Sequence, residues 1–147
     1  IDNILNKFDK NSVGVILMFD IDDFKQINDE NGHIAGDKAI QSFAEELRRQ
    51  FIETDTIGRI GGDEFLVWIK DVSEKNTIET KVKILNDSLF KLYNEGLIEL
   101  NISVSAGATV AELGDTFENV YGRADSALYK AKETGKSKCV IYTCKEY

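Results

Sequence analysis

The sequence predicts an α+β fold, a central and mostly antiparallel five-stranded sheet flanked by helices in a ferredoxin-like arrangement, and three features carry that expectation. Val13 to Phe19 is a near-continuous apolar run ending in acids, the pattern of a central strand covered on both faces. Two short β-rich runs, Thr56–Ile60 and Phe65–Ile69, flank Gly61-Gly62-Asp63-Glu64, where consecutive glycines supply the positive φ of a tight hairpin. Elsewhere, apolar residues recur at helical spacing.

In chain order, the first strand opens at its C-terminal end onto Asp20-Ile21-Asp22-Asp23. From Asp37 onward, Ile40, Phe43, Ala44, Leu47 and Phe51 form one face of a helix, with Glu45, Glu46, Arg48 and Arg49 on the other. The hairpin follows, with Phe65 and Trp68 read as core rather than as stacking platforms. Ile78, Val82, Leu85, Leu89 and Leu92 mark a second long helix. Leu100, Ile102 and Val104 alternate with Asn101, Ser103 and Ser105, which predicts a half-buried strand. Val120, Ala124, Ala127, Leu128 and Ala131 give a last helix, stopped at Gly135 and followed by a strand over Cys139–Tyr142. The predicted order is β-α-α-β-β-α-β-α-β.

At 147 residues, 42% hydrophobic and 30% charged, the chain has the size of one domain spanning 1–147, with no proline and no internal linker. No run is long enough to cross a bilayer, and the two cysteines, Cys139 and Cys144, form neither a zinc spacing nor a disulfide framework. A cytoplasmic domain without membrane contact is expected. The net charge of -8, from 26 acidic against 18 basic side chains, excludes a broad electrostatic surface for nucleic acid. A polyanionic ligand must be met locally, by metal ions or a few placed lysines.

Two acidic groups stand where strands end: Asp20, Asp22 and Asp23 after the first strand, Asp63 and Glu64 in the hairpin. If those strands are neighbours, the acids converge, and crowded carboxylates repel unless a cation lies between them. Hard divalent ions take such oxygen ligands, and two-metal sites use them in phosphoryl chemistry. Acids at turns are also simply solvated in many proteins, so spacing alone leaves both readings open.

The wording of the sequence is more specific. Gly61-Gly-Asp-Glu-Phe65 spells the signature of the GGDEF family. Phe19-Asp-Ile-Asp-Asp-Phe-Lys-Gln-Ile-Asn-Asp29 with Gly32-His-Ile-Ala-Gly-Asp37 resembles the family's other nucleotide-binding block, and Ala124 to Lys136 resembles its C-terminal helix. The resemblance runs from about Val13 to Tyr142 and implies the palm architecture of nucleotidyl cyclases. It implies a diguanylate cyclase, which condenses two GTP into cyclic di-GMP plus two pyrophosphates across a homodimer, using Mg2+ or Mn2+, two per GTP.

By this likeness the catalytic acids are Asp20, Asp63 and Glu64, with the metal held by Asp20, Asp63, Glu64 and the backbone carbonyl of Ile21. Glu64 either helps hold metal, the preferred role, or takes the proton of the attacking 3'-hydroxyl. Asn28 and Asp37 match the positions that hydrogen-bond the guanine edge, whose paired donors suit a carboxylate. Both also read as turn or cap residues. Lys25, Lys132 and Lys136 match phosphate-binding positions, with the amides of Asp23 and Phe24 cradling the terminal phosphates and Gly61 and Gly62 under the α-phosphate. Lys132 is equally explained by the dipole at a helix C-terminus. His33, the single histidine, is expected to pack or hydrogen-bond rather than catalyse.

Three departures from the family pattern bear on function. The product-binding Arg-x-x-Asp reads Ile52-Glu-Thr-Asp55, so inhibition by product at that site is not expected. The chain begins at Ile1-Asp-Asn-Ile-Leu5, inside the family's first helix, so the domain's start is read as truncated and an upstream sensory or dimerising domain is expected in the full-length protein. The usual Gly-Arg-Asn reads Gly135-Lys136-Ser137, which keeps charge and loses bidentate geometry. Two rival functions are a catalytically inactive GGDEF module that binds GTP or a protein partner, and an RNA-binding ferredoxin-like domain. Intact Asp20, Asp63 and Glu64 oppose the first, and the missing basic face and stacking aromatics oppose the second.

Overall fold

The computed structural model describes residues 13–51, 56–70 and 75–143. Nine elements alternate in the predicted order: β1 (Gly14–Ile21), α1 (Phe24–Asn31), α2 (His33–Gln50), β2 (Thr56–Gly61), β3 (Glu64–Lys70), α3 (Lys75–Asn94), β4 (Val104–Ala111), α4 (Phe117–Glu133) and β5 (Cys139–Ile141). The sheet order is β2-β3-β1-β4-β5. Every neighbouring pair is antiparallel except β4 and β5, which run parallel. Ile52–Asp55, Cys144 and the residues before Val13, on which three of the expectations above fall, lie outside the described residues.

The apolar run of β1 has no polar interruption because both of its faces are covered, and every residue from Gly14 to Ile21 is buried. Period-2 alternation divides its side chains between two cores. Val15, Leu17, Phe19 and Ile21 join Phe65, Val67 and Ile69 of β3 against Ile40, Phe43 and Leu47 of α2 and Val82, Leu85 and Leu89 of α3. Ile16 and Met18 join Leu66 and Trp68 against Val120, Ala124 and Leu128 of α4. The result is three layers, with α2 and α3 on one face of the sheet and α4 on the other. Phe43 meets Phe65 edge-on at 5.0 Å between ring centroids, which fixes α2 against the hairpin.

Several strand ends move by a residue or two from their predicted bounds, and β4 and α2 depart further. The alternation Leu100–Val104 precedes the fourth strand, which runs from Val104 to Ala111, and Ser105, expected on a solvent face, is fully buried. A strand reading Val-Ser-Ala-Gly-Ala-Thr-Val-Ala has little β-propensity and no alternation, because β1 flanks it and α4 lies close over Gly107. Its start is fixed from the side. Asn86 of α3 donates to the Val104 carbonyl at 3.0 Å and accepts from the Val104 amide at 2.8 Å. Helix α2 begins at His33, not Asp37, so Asp37 stands in its second turn and is no cap, and Asn28 lies within α1. The capping alternative for both residues falls. Among the described residues no helix is long and apolar enough to cross a membrane.

Candidate active site

The strand order settles where the acids go. Because β1 pairs with β3, Asp20 lies directly across from Glu64, with Asp63 in the turn beside it. Asp20 continues the even-numbered row Ile16–Met18, and Glu64 continues the row Leu66–Trp68, so both acids belong to the α4 face of the sheet. On α4, Val120, Ala124 and Leu128 step by four residues along the face packed on that core, and Lys132 is the next step. Its ammonium pairs with Oδ2 of Asp20. Lys132 also lies in the last turn of α4, where the helix dipole favours a cation, so the dipole reading fits its place.

The electrostatics are those of crowded anions. Asp20 is 7% exposed, and its Oδ1 is buried with no hydrogen-bond partner among the described residues. Burial and then the adjacent Asp20 carboxylate push Asp63 up to about 7. Glu64 is also raised, first by burial, then by Asp20 and Asp125, against the lowering charge of Lys132. Among the described residues no group of three or more His, Cys, Asp or Glu side chains stands ready to hold a metal. The donor set nevertheless fits a hard divalent cation. It is all oxygen, one buried carboxylate oxygen has no hydrogen-bond partner among the described residues, and Asp63 stays raised although the Lys132 charge lowers it.

An open pocket of about 460 Å3 is lined by Asp20, Glu64, Asp125, Ser126, Leu128, Tyr129 and Lys132, a size usual for small-molecule clefts. Asp125 and Tyr129 were missed by the sequence reading. Their signal was the same helical spacing, Tyr129 one turn and Asp125 two turns before Lys132.

The remaining predicted residues sit around this centre. Asp23 precedes α1 in a left-handed conformation (φ 56°), and its carboxylate accepts from Lys136 Nζ at 2.5 Å. Phe24 packs on the core, and Lys25 is exposed in the first turn of α1. Ile21 is buried at the end of β1. Asn28 lies against Gly36, one residue from Asp37, and neither Asn28 nor Asp37 lines the pocket. Gly61 and Gly62 form the turn with φ of 155° and 53°, where a Cβ would meet nothing within 4 Å, so conformation rather than crowding demands glycine there.

Arg59, also missed, braces this turn by donating from Nε and NH2 to the Gly62 carbonyl at 2.9 and 2.7 Å. His33 is exposed at the first position of α2, which removes the packing role expected of it. Phe65 and Trp68 are buried, as expected.

Comparison with known proteins agrees with this arrangement. A family model described as "Diguanylate cyclase, GGDEF domain" matches residues 1–138. Diguanylate cyclase DgcZ of Escherichia coli is 34% identical over 128 residues, covering 86% of this chain and 43% of that protein. Diguanylate cyclase DgcP of Pseudomonas aeruginosa is 38% identical over 130 residues, covering 86% of this chain and 19% of that protein. The chain thus spans less than half the length of these curated relatives. The active GGEEF domain of a diguanylate cyclase from Vibrio cholerae matches with a TM-score of 0.78 at 28% identity, covering 90% of this chain and 84% of that one. Signature, sheet order and family model agree over nearly the whole chain, which therefore belongs to the GGDEF family, the diguanylate cyclase domain.

Proposed function

We propose that this domain is a diguanylate cyclase that condenses two GTP into cyclic di-GMP and two pyrophosphates. The observation that supports it most is the meeting of Asp20 and Glu64, from neighbouring strands, with Lys132 of α4 on one face of the sheet. Each copy of the domain presents one GTP. The 3'-hydroxyl of each attacks the α-phosphate of the other, in line with the departing pyrophosphate, so two copies must face each other.

Asp20, Asp63, Glu64 and the Ile21 carbonyl are the groups proposed to hold Mg2+ or Mn2+, two ions per GTP. Bound there, divalent ions neutralise charge on the reacting phosphate and on the leaving pyrophosphate. The chain's own groups bind and orient. Lys25, Lys132 and Lys136 with the amides of Asp23 and Phe24 take the phosphate chain, and the Gly61-Gly62 turn lies beneath the α-phosphate. Asn28 and Asp37 read the guanine edge. Glu64, whose proton affinity is raised by burial and neighbouring acids, is also the group suited to take the 3'-hydroxyl proton. A sensory or dimerising domain upstream would control how often two sites meet.

The test is a fusion of the domain to a dimeric coiled coil, supplied with GTP and Mg2+, with product followed by chromatography. Cyclic di-GMP is expected from the fusion, with at least about a hundredfold less from Glu64→Gln. A folded dimer that binds GTP and makes no product would move the domain to the regulatory modules of the family.

A further inference from the structure

Two consecutive residues that carry side chains, Lys136 and Ser137, adopt left-handed backbone conformations with φ of 61° and 49°. Such a pair is disfavoured unless its surroundings hold it. The Lys136 amide donates to the Ala131 carbonyl at 3.0 Å, a helix-ending bond. The Ser137 amide instead donates to Oδ2 of Asp22 at 3.0 Å. Asp22 is 7% exposed, and its carboxylate also accepts from Ser103 Oγ at 2.7 Å and from Ser105 Oγ at 2.5 Å, while its own amide donates to the Ser103 carbonyl at 2.9 Å. One buried carboxylate thus ties together the end of β1, the start of β4 and the turn between α4 and β5.

This acid differs in kind from Asp20, two residues earlier. Asp20 keeps a buried oxygen with no hydrogen-bond partner among the described residues, whereas Asp22 has three donors on its two oxygens and is committed to the protein. Next to Asp22, Asp23 is itself left-handed and pairs with the Lys136 ammonium. The two turns grip each other through adjacent residues, Asp22 to Ser137 and Asp23 to Lys136.

We infer that Asp22 is a positioning residue that holds the Lys136–Ser137 turn in its left-handed form, so that Lys136 stands at the start of α1 where a nucleotide's phosphate chain is bound. The inference rests on the proposed reading of Lys136 and of the Asp23 and Phe24 amides as phosphate-binding groups. Asp22 acts through Lys136 and does not touch the ligand.

Calorimetric titration with Mg2+ and α,β-methylene-GTP, which cannot be turned over, reads the phosphate chain, and GMP reads the guanosine end alone. Lys136→Ala and Asp22→Ala are each expected to weaken the triphosphate about tenfold and GMP less than twofold, and the double variant to be no weaker than Lys136→Ala. Asp22→Asn keeps an oxygen that can accept from the Ser137 amide and should stay within about twofold of wild type. Ser137→Gly, which takes a positive φ without cost, should restore binding to Asp22→Ala.

If Asp22→Ala does not fold, Asp22→Ser, too short to reach the Ser137 amide, is expected to show the same selective loss. Equal loss of GMP and triphosphate, or full additivity with Lys136→Ala, would overturn the inference in favour of a general structural role. A triphosphate affinity untouched by Lys136→Ala would instead overturn the phosphate-site reading itself, and the inference with it.

Discussion

Asn28 and Gly36 illustrate how one atom's space controls a site. A Cβ on Gly36 would come within 1.9 Å of Oδ1 of Asn28, whereas the helix backbone at Gly36 is ordinary. The obstructing atom is the far end of a side chain, so alanine there moves Asn28 without unfolding the helix, and alanine is the better helix former. Gly36→Ala is therefore expected to weaken GTP binding about tenfold, about 1.4 kcal/mol, with the melting temperature unchanged or slightly higher. Titration calorimetry and a thermal melt measure the two effects. An unchanged GTP affinity would remove Asn28 from the residues proposed to bind guanine. The glycine was visible in the sequence within the Gly32–Asp37 block, but its reason was not, because the contact joins two helices.

At the scale of elements, α4 is the carrier of Lys132, and its distance from the sheet depends on Gly107. A Cβ at that position would fall 2.2 Å from both the Ala124 carbonyl and the Leu128 amide, which are backbone atoms that cannot turn aside. Gly107→Ala must lift the helix away from β4 and loosen the core formed by Val120, Ala124 and Leu128. The expected cost is about 2 kcal/mol or more, read as a lower denaturation midpoint, and cyclase activity should fall further than stability alone explains. A neutral result would mean that the close packing of α4 on β4 is not what places Lys132. In the sequence, the run of small residues around Gly107 masked the extent of the strand, which was expected over Leu100–Ser105. Low β-propensity and missing alternation hid the course of β4 from Ala106 to Ala111, although the smallness of its residues is what lets the helix approach.

For the molecule as a whole, the raised Asp63 couples folding to pH. A carboxyl that titrates near 3.8 when unfolded and at about 7 when folded binds its proton more tightly in the native state. Its stabilising contribution is complete below about 3.8 and is lost as pH rises through about 7. The metal-free domain should therefore melt at a lower temperature at about pH 8 than at about pH 5, and Asp63→Asn should flatten that slope. Added Mg2+ at the higher pH should restore the melting temperature by mass action if the acids hold it. Asp115, held low by its hydrogen bond from Arg123, acts in the opposite sense, and only at more acid pH. A wild-type slope that survives in Asp63→Asn would place the coupling on another group.

What the sequence determined by itself was local or lexical. The apolar run of β1, the glycine hairpin, the periods of α2, α3 and α4 and the identities of the family's acids and lysines are properties of neighbouring residues, and they gave the element order and the candidate list. What only the tertiary structure decided was adjacency. Placing β1 between β3 and β4 set Asp20 opposite Glu64 and Ser105, and carried Lys132 to Asp20 from 112 residues away. Three acids that read alike in Asp20-Ile21-Asp22-Asp23 became three different things, an under-satisfied anion, a buried anchor and a surface ion pair. Identical side chains diverge in this way because burial and the partners that topology delivers, not residue type, determine a carboxylate's charge and its role.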